Sequence, residues 1–134
     1  MTFVVAFDGS ADSEAALERA ADAVDSDARL LVVSVLPGDD RLADAYGFLA
    51  NGTYDPEQVA ADLETAVVAA APAADFRTEQ LGPYAGKQRI ATVIAAVARE
   101  ADADAVYLGS DNAGRVLDSL VDGTADYDVR LVCS

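Results

Sequence analysis

The 134-residue chain has 24 acidic and 9 basic side chains, a formal net charge of −15 at pH 7, and no histidine. The lack of histidine excludes His-dependent triads and His-ligated zinc. The lack of a basic stripe argues against duplex nucleic acid as a partner. No apolar run is long enough to span a bilayer, so we expect a soluble, cytoplasmic protein with no membrane association.

The acidic excess is mostly aspartate, and it is scattered along the chain rather than collected in a tail. This pattern favours a halophilic surface over an acidic docking face, because molar salt screens the mutual repulsion of carboxylates. The single cysteine, Cys133, has no partner for an internal disulfide, which fits a reducing cytoplasm.

Strand and helix signals alternate from the first residues onward. An apolar run predicts a strand over 2–7, and helical spacing of apolar residues predicts a helix from Ser10 to Val24. A second apolar strand is predicted over 30–36. A short helix is then expected over 42–49 within an irregular stretch, followed by a helix over 59–70 that Pro72 closes.

The second half of the chain continues the alternation. A more polar strand is predicted over 76–81, and the clearest amphipathic helix covers 90–98. A fourth strand at 105–108, a short helix at 116–121 and a last strand at 128–132 complete the pattern. Strands separated by helices predict an α/β fold with a single open, doubly wound, five-stranded parallel sheet and helices on both faces.

Polarity suggests the order of the strands. The first, second and fourth strands are apolar throughout and belong in the centre, whereas the third and fifth contain Arg77, Glu79 and Arg130, as edge strands do. The order 3-2-1-4-5 satisfies both conditions. A flavodoxin-like order, 2-1-3-4-5, would put the very apolar second strand at an edge.

The preferred order makes the first and fourth strands neighbours whose connections leave to opposite faces. Ligands of open α/β sheets bind beyond the strand ends at such a switch point. Asp8-Gly9-Ser10 follows the first strand, the Gly109 loop follows the fourth, and residues 34–36 lie alongside. We expect the functional site there.

Residues 109–116, GSDNAGRV, have the glycine spacing of a P-loop but not its functional side chains. Arg115 replaces the lysine, Val116 has no hydroxyl for magnesium, and Asp111 adds a carboxylate, so a P-loop NTPase is not expected. Gly114 before a predicted helix still exposes N–H groups, and Arg115 can pair with an anion. The alternative is that Gly114 only serves the turn and that Arg115 is solvated.

Three segments carry a resemblance to a known family: VVAFDGSADSEAALERA, LLVVSVLP and, after Gly86, IAAVAREADADAVYLGS. The first is similar to the opening strand, aspartate and first helix of the universal stress protein family, the second to its second strand, and the third to its third helix and fourth strand. The sequence resembles this family over almost its whole length. The resemblance implies one domain over 1–134, a sheet of order 3-2-1-4-5, a homodimer joined through the last strand, and a regulatory role in stress.

Some members of this family bind ATP in the switch-point crevice. The resemblance then implies that Asp8 contacts the adenosine, that Val35 offers backbone groups to the base, and that Gly109-Ser110 opens the phosphate loop. Asp8 has an alternative role as the cap of the first helix. The candidate nucleotide-binding residues are Asp8, Gly9, Ser10, Val35, Gly109, Ser110, Gly114 and Arg115.

The chain departs from the phosphate loop of the ATP binders, which follow G-x-x-G, nine residues, then G-[ST]. Asn112 stands where the second glycine belongs. Gly123-Thr124 can serve as the final pair but leaves no room for the next helix; Gly114-Arg115 keeps that helix but shortens the loop. We favour the second placement, and neither gives a complete triphosphate cradle.

Two hypotheses follow. The first is a dimeric stress-response or regulatory module with weak or no ATP binding and no obligatory cofactor. The second is a nucleotide-responsive protein that binds ATP or AMP through Asp8, Val35, Gly109 and the Gly114-Arg115 turn. A two-component receiver is rejected because the third predicted strand ends in Leu81-Gly82-Pro83 rather than in a phosphorylatable aspartate, and because the only lysine, Lys87, precedes the third main helix. No nucleophile–base pair can be built with histidine, Ser–Lys or carboxylate chemistry stays open on spacing alone, and we expect no enzymatic activity.

Overall fold

The fold is a parallel sheet with helices on both faces, seen in a computed structural model that describes residues 1–24, 28–38, 54–82, 87–109 and 128–132. The strands are β1 (Thr2–Ala6), β2 (Arg29–Leu36), β3 (Asp75–Gln80), β4 (Ala105–Gly109) and β5 (Asp128–Val132). The helices are α1 (Ala11–Ala23), α2 (Pro56–Ala70) and α3 (Lys87–Glu100).

The strands lie in the order β3-β2-β1-β4-β5, and all neighbours are parallel. The α/β class with a parallel sheet is therefore confirmed, as is the order β3-β2-β1-β4 around the predicted switch point. β5 lies beside β4, with Ala105 opposite Asp128 and Gly109 opposite Val132. A flavodoxin-like order is excluded, because β1 pairs with β2 and β4 and not with β3.

Local capping chemistry sets where the first two helices begin. Ser10 is the N-cap of α1, and Asp12 and Glu14 in its first turn complement the positive end of the helix. Asp55 caps α2, which starts at Pro56, three residues earlier than the apolar spacing predicted. The short helices predicted over 42–49 and 116–121, and Cys133, lie outside the described residues.

One cluster of buried apolar residues lies on each face of the sheet. α1 and α2 cover one face, where Leu17 and Val67 pack against alternate residues of the strands, such as Val5 and Val32. α3 covers the other face with the apolar stripe predicted from its spacing. The residues of that second cluster include Val4, Leu31, Val33, Ile90, Ile94, Val97, Val106 and Leu108. The central strands are thus buried on both faces, which explains their continuous apolar sequences.

β3 is a charged edge strand, as its polarity predicted. The Arg77 Nε donates to Glu79 Oε1 at 2.6 Å, and its Nη atoms lie 3.3 Å from the Glu100 carboxylate. Arg29 pairs with Asp75 at 2.9 Å. Ion pairs this exposed add little stability, but charges along an edge oppose pairing with another strand.

Candidate functional site

The chain leaves the sheet just after β1. The Phe7 N–H still donates to Val33 O at 2.9 Å, and the backbone then turns away through Asp8 and Gly9. Gly9 has φ +83°, a conformation that favours glycine, and a Cβ there would lie 3.2 Å from Leu63 Cδ2. Gly9 is therefore needed for the turn that carries the chain from the sheet into α1.

A small hydrogen-bond network shapes this turn. The Ser10 Oγ accepts the Ser13 N–H at 3.2 Å, and Asp8 Oδ1 accepts the Ser10 N–H at 2.9 Å. Ser10, and not Asp8, is thus the N-cap of α1, which corrects the alternative role considered for Asp8. The half-buried Asp8 carboxylate instead closes an Asx turn at the end of β1.

Gly109, the last residue of β4, lies directly against the first turn of α1. A Cβ at this position would come within 2.8 Å of the Ser13 N and 2.9 Å of the Asp12 C and Cβ atoms. Real Cβ atoms do not tolerate such distances. Close packing of α1 on β4 therefore requires a glycine at 109, whether or not a phosphate binds nearby.

β2 continues past the end of β1, and Val35 lies in the part of β2 that has no β1 partner. In a parallel ladder the backbone groups of alternate residues face the same neighbour. Since Val33 O accepts from Phe7, the N–H and C=O of Val35 also face the β1 side, where the described ladder has already ended. Leu36 O faces the opposite side and accepts the Leu81 N–H at 2.9 Å. Polar backbone groups of β2 therefore border the crevice.

The register brings the predicted residues of the first two strands together. Ala6 pairs with Val33, and the Ser34 Oγ contacts Phe7 O at 2.7 Å, so the same register continued sets Asp8 level with Val35. Asp8, Gly9, Ser10 and Gly109 surround the start of α1, and Val35 lies across the end of β1. The other predicted site residues, Ser110, Gly114 and Arg115, lie outside the described residues.

Three polar side chains around this end of the sheet were not among the predicted site residues. Ser13 and Ser34 are buried and hydrogen-bonded to the turn after β1. The Tyr54 hydroxyl donates to Pro37 O at 2.8 Å, and burial raises the pKa of Tyr54 to about 12. Ser34 gave a usable signal, since it is the single polar residue between 30 and 36.

The described residues hold no cluster of three or more His, Cys, Asp or Glu side chains placed to bind a metal ion. A search of the same residues found no helix with both the length and the apolar character that a membrane span requires. The chemistry that the described site offers is hydrogen bonding by one carboxylate and by backbone groups.

The universal stress protein family model matches residues 1–132. A search of curated proteins gave no significant match. Among solved structures, the universal stress protein from Archaeoglobus fulgidus in complex with dAMP shares 22% identity at a TM-score of 0.62, covering 98% of this chain and 97% of that one. A protein of the same family from Burkholderia pseudomallei shares 21% identity at a TM-score of 0.58, covering 98% and 94% of the chains.

A universal stress protein in complex with cAMP is similar as well, with 24% identity, a TM-score of 0.55 and coverage of 99% of this chain and 96% of that one. At these identities the structural likenesses show the fold alone. The family match, by contrast, extends over nearly the whole sequence and includes both the β1–α1 turn and the end of β4. The chain belongs to the universal stress protein family.

Proposed function

We propose that this chain is a non-catalytic, cytoplasmic stress-response module that has kept the adenosine half of a nucleotide site and lost most of the phosphate half. It would therefore bind ATP weakly or not at all, and no more tightly than AMP. The observation that carries this proposal is the position of the Val35 backbone groups, which face the crevice beyond the end of β1, level with Asp8.

The adenosine half rests on two kinds of polar group. A backbone N–H and C=O on one residue can pair with the donor and acceptor on the edge of an adenine ring. Asp8 adds a carboxylate whose Oδ1 is held by the Ser10 N–H, so its position is fixed before a ligand arrives. Two of the similar solved structures contain dAMP and cAMP, which are both adenine monophosphates.

The loss of the phosphate half is argued from sequence and charge. Residues 109–116 lack the second glycine of the family's ATP-binding pattern, and Arg115 is their only cation. Asp111 adds a carboxylate to the same segment, which disfavours a triphosphate there. Since Gly109 is needed for packing against α1, its presence does not by itself indicate a phosphate site.

Titration calorimetry with AMP and ATP in molar salt tests this proposal. We expect dissociation constants for the two nucleotides within about threefold of each other, because extra phosphates find few N–H donors. Asp8→Asn, which keeps an acceptor for the Ser10 N–H, should weaken AMP binding by about tenfold, the usual scale for one hydrogen bond to a charged group.

Asp104→Asn is the matched control. Asp104 also accepts a backbone N–H, from Thr2 at 2.8 Å, but it precedes β4 and lies at the opposite end of the sheet. The Asp104→Asn variant should bind AMP with the same affinity as the unmodified protein. ATP binding a hundredfold tighter than AMP would overturn the loss of the phosphate half. No heat with either nucleotide would overturn the adenosine half and leave a stress module without a nucleotide.

We also propose a homodimer joined through β5. The other edge of the sheet, β3, carries ion-paired charges that oppose strand pairing, whereas the described part of β5 carries one exposed cation, Arg130. The Arg130 guanidinium lies 5.7 Å from the centre of the Tyr107 ring.

Light scattering in high salt should give twice the 13.8 kDa chain mass. Arg130→Glu should lower the mass toward that of one chain, because Arg130 is the middle residue of β5, and two β5 strands paired about their centres would bring the new carboxylates of both copies together. Arg99→Glu, an exposed charge reversal on α3, should keep the dimer. A single-chain mass for the unmodified protein would contradict the proposal.

A further inference from the structure

Two serines are the buried polar side chains of the described residues, Ser13 at 3% and Ser34 at 1% exposure. They come from different elements, α1 and β2, and both lie among apolar neighbours of the same face of the sheet. A buried hydroxyl is costly unless it is hydrogen-bonded, so its partners indicate why it is there. Both serines bond to the turn after β1.

The two hydroxyls hold opposite ends of one peptide group. The Ser34 Oγ donates to the Phe7 carbonyl oxygen at 2.7 Å. The Asp8 N–H, which belongs to the same peptide group, donates to the Ser13 Oγ at 3.4 Å, a long hydrogen bond. The Ser13 hydroxyl proton is directed to the Ser10 carbonyl oxygen, 3.0 Å away, which leaves its lone pairs for Asp8. Rotation of the Phe7–Asp8 peptide would break both contacts.

The same turn fixes the Asp8 side chain. Asp8 Oδ1 accepts the Ser10 N–H, and Ser10 is itself anchored by its bond to the Ser13 N–H. Gly109 packs against that Ser13 nitrogen, so the end of β4 limits any movement of the turn. The Asp8 backbone and carboxylate are therefore both held by other groups of the protein before any ligand binds.

We propose that Ser13 and Ser34 are positioning residues that hold Asp8 in the orientation used to bind the nucleoside of an adenine nucleotide. This rests on the proposed function. Neither serine contacts the ligand, and each acts through the Phe7–Asp8 peptide. Loss of either hydroxyl lets this peptide rotate, so that the Asp8 carboxylate samples several orientations and binding must select one of them.

The first arm of the test uses the protein without nucleotide. Amide hydrogen exchange measured by NMR reports the bond between the Ser10 N–H and Asp8. In Ser34→Ala we expect exchange at Ser10 to become at least fivefold faster, while amides at the centre of α3 are unchanged. Ser34→Thr, which keeps a hydroxyl donor, should restore slow exchange. If exchange at Ser10 is unchanged in Ser34→Ala, the Ser34 hydroxyl does not hold the turn after β1, and the inference fails.

The second arm measures AMP affinity by calorimetry in molar salt, and Ser13→Ala is tested beside Ser34→Ala. We expect each to weaken AMP binding by about five- to tenfold, in the range of one lost hydrogen bond. Ile94→Val, a buried truncation on the opposite face of the sheet, controls for a general loss of stability and should bind AMP normally. Equal affinities for the serine variants and Ile94→Val would overturn the positioning role.

The two arms separate the inference from the proposed function. If the unmodified protein gives no heat with AMP, the proposed nucleotide site fails, and exchange at Ser10 alone decides whether the serines hold Asp8. If AMP binds and the serine variants bind it equally well, the nucleotide site stands and the positioning role fails.

Discussion

Transfer of the protein from molar to about 0.1 M salt is expected to unfold it. The chain carries a formal net charge of −15. The Debye length increases from about 3 Å in 1 M salt to about 10 Å in 0.1 M salt, so carboxylates on one helix face begin to repel each other. Far-ultraviolet circular dichroism through a dialysis series, with return to high salt to test reversibility, measures the effect. Full helical signal at low salt would contradict the proposed halophilic surface.

A single charge reversal gives this prediction a local control. Glu14, Glu18 and Asp22 are exposed on α1 at successive four-residue intervals, which places like charges side by side. Glu18→Lys converts both neighbouring pairs into attractive ones and should raise the free energy of unfolding at low salt by about 0.5–1 kcal/mol, at a few tenths per pair. The same variant should have almost no effect in molar salt, where exposed pairs are screened.

Gly109→Ala is expected to lower the free energy of unfolding by about 2 kcal/mol, the usual cost of overpacking. The new methyl group would overlap three atoms of the first turn of α1, the nearest at 2.8 Å, and these are mostly backbone atoms that cannot rotate away. Denaturant unfolding without any nucleotide is the measurement. A Gly109 that served only to bind phosphate would give unchanged stability in this experiment.

Gly82→Ala is the matched control for the glycine prediction. Among the residues that the structure describes, no heavy atom lies within 4 Å of a Cβ built at Gly82, and its φ is not in the left-handed region. The alanine variant should be within about 0.5 kcal/mol of the unmodified protein, or slightly more stable through a less flexible unfolded chain. An equal loss of stability in both variants would point to a general cost of alanine at loop glycines rather than to contact with α1.

The sequence was sufficient for the class of fold because its signals are local. Continuous apolar runs in β1, β2 and β4 reflect burial on both faces, and the 3.6-residue spacing in α3 reflects burial on one face. Arg77 and Glu79 marked β3 as an edge strand for a similar reason, since a charged side chain needs water or a partner. These patterns depend on neighbours within one element, so they can be interpreted without a structure.

From the sequence, only Asp8 was considered as a cap of α1, although Ser10 is an equally good N-cap residue. The choice depends on where the helix starts relative to β1, and the path of the chain through the positive φ of Gly9 decides for Ser10. The sequence also gave no reason to consider Ser13, which lies inside a helix and bonds back to the turn.

Only the tertiary structure decided how the segments meet at the switch point. The sequence by itself determined the alternating strands and helices, the polar edge and the presence of Asp8 and Gly109 near the ends of their strands; the structure includes Gly109 in β4 as its last residue. The register of β1 on β2 set Asp8 level with Val35, and the packing of α1 on β4 gave Gly109 a steric reason to be glycine. The physical cause is that propensity and periodicity act over a few residues, whereas these contacts join positions far apart in the chain.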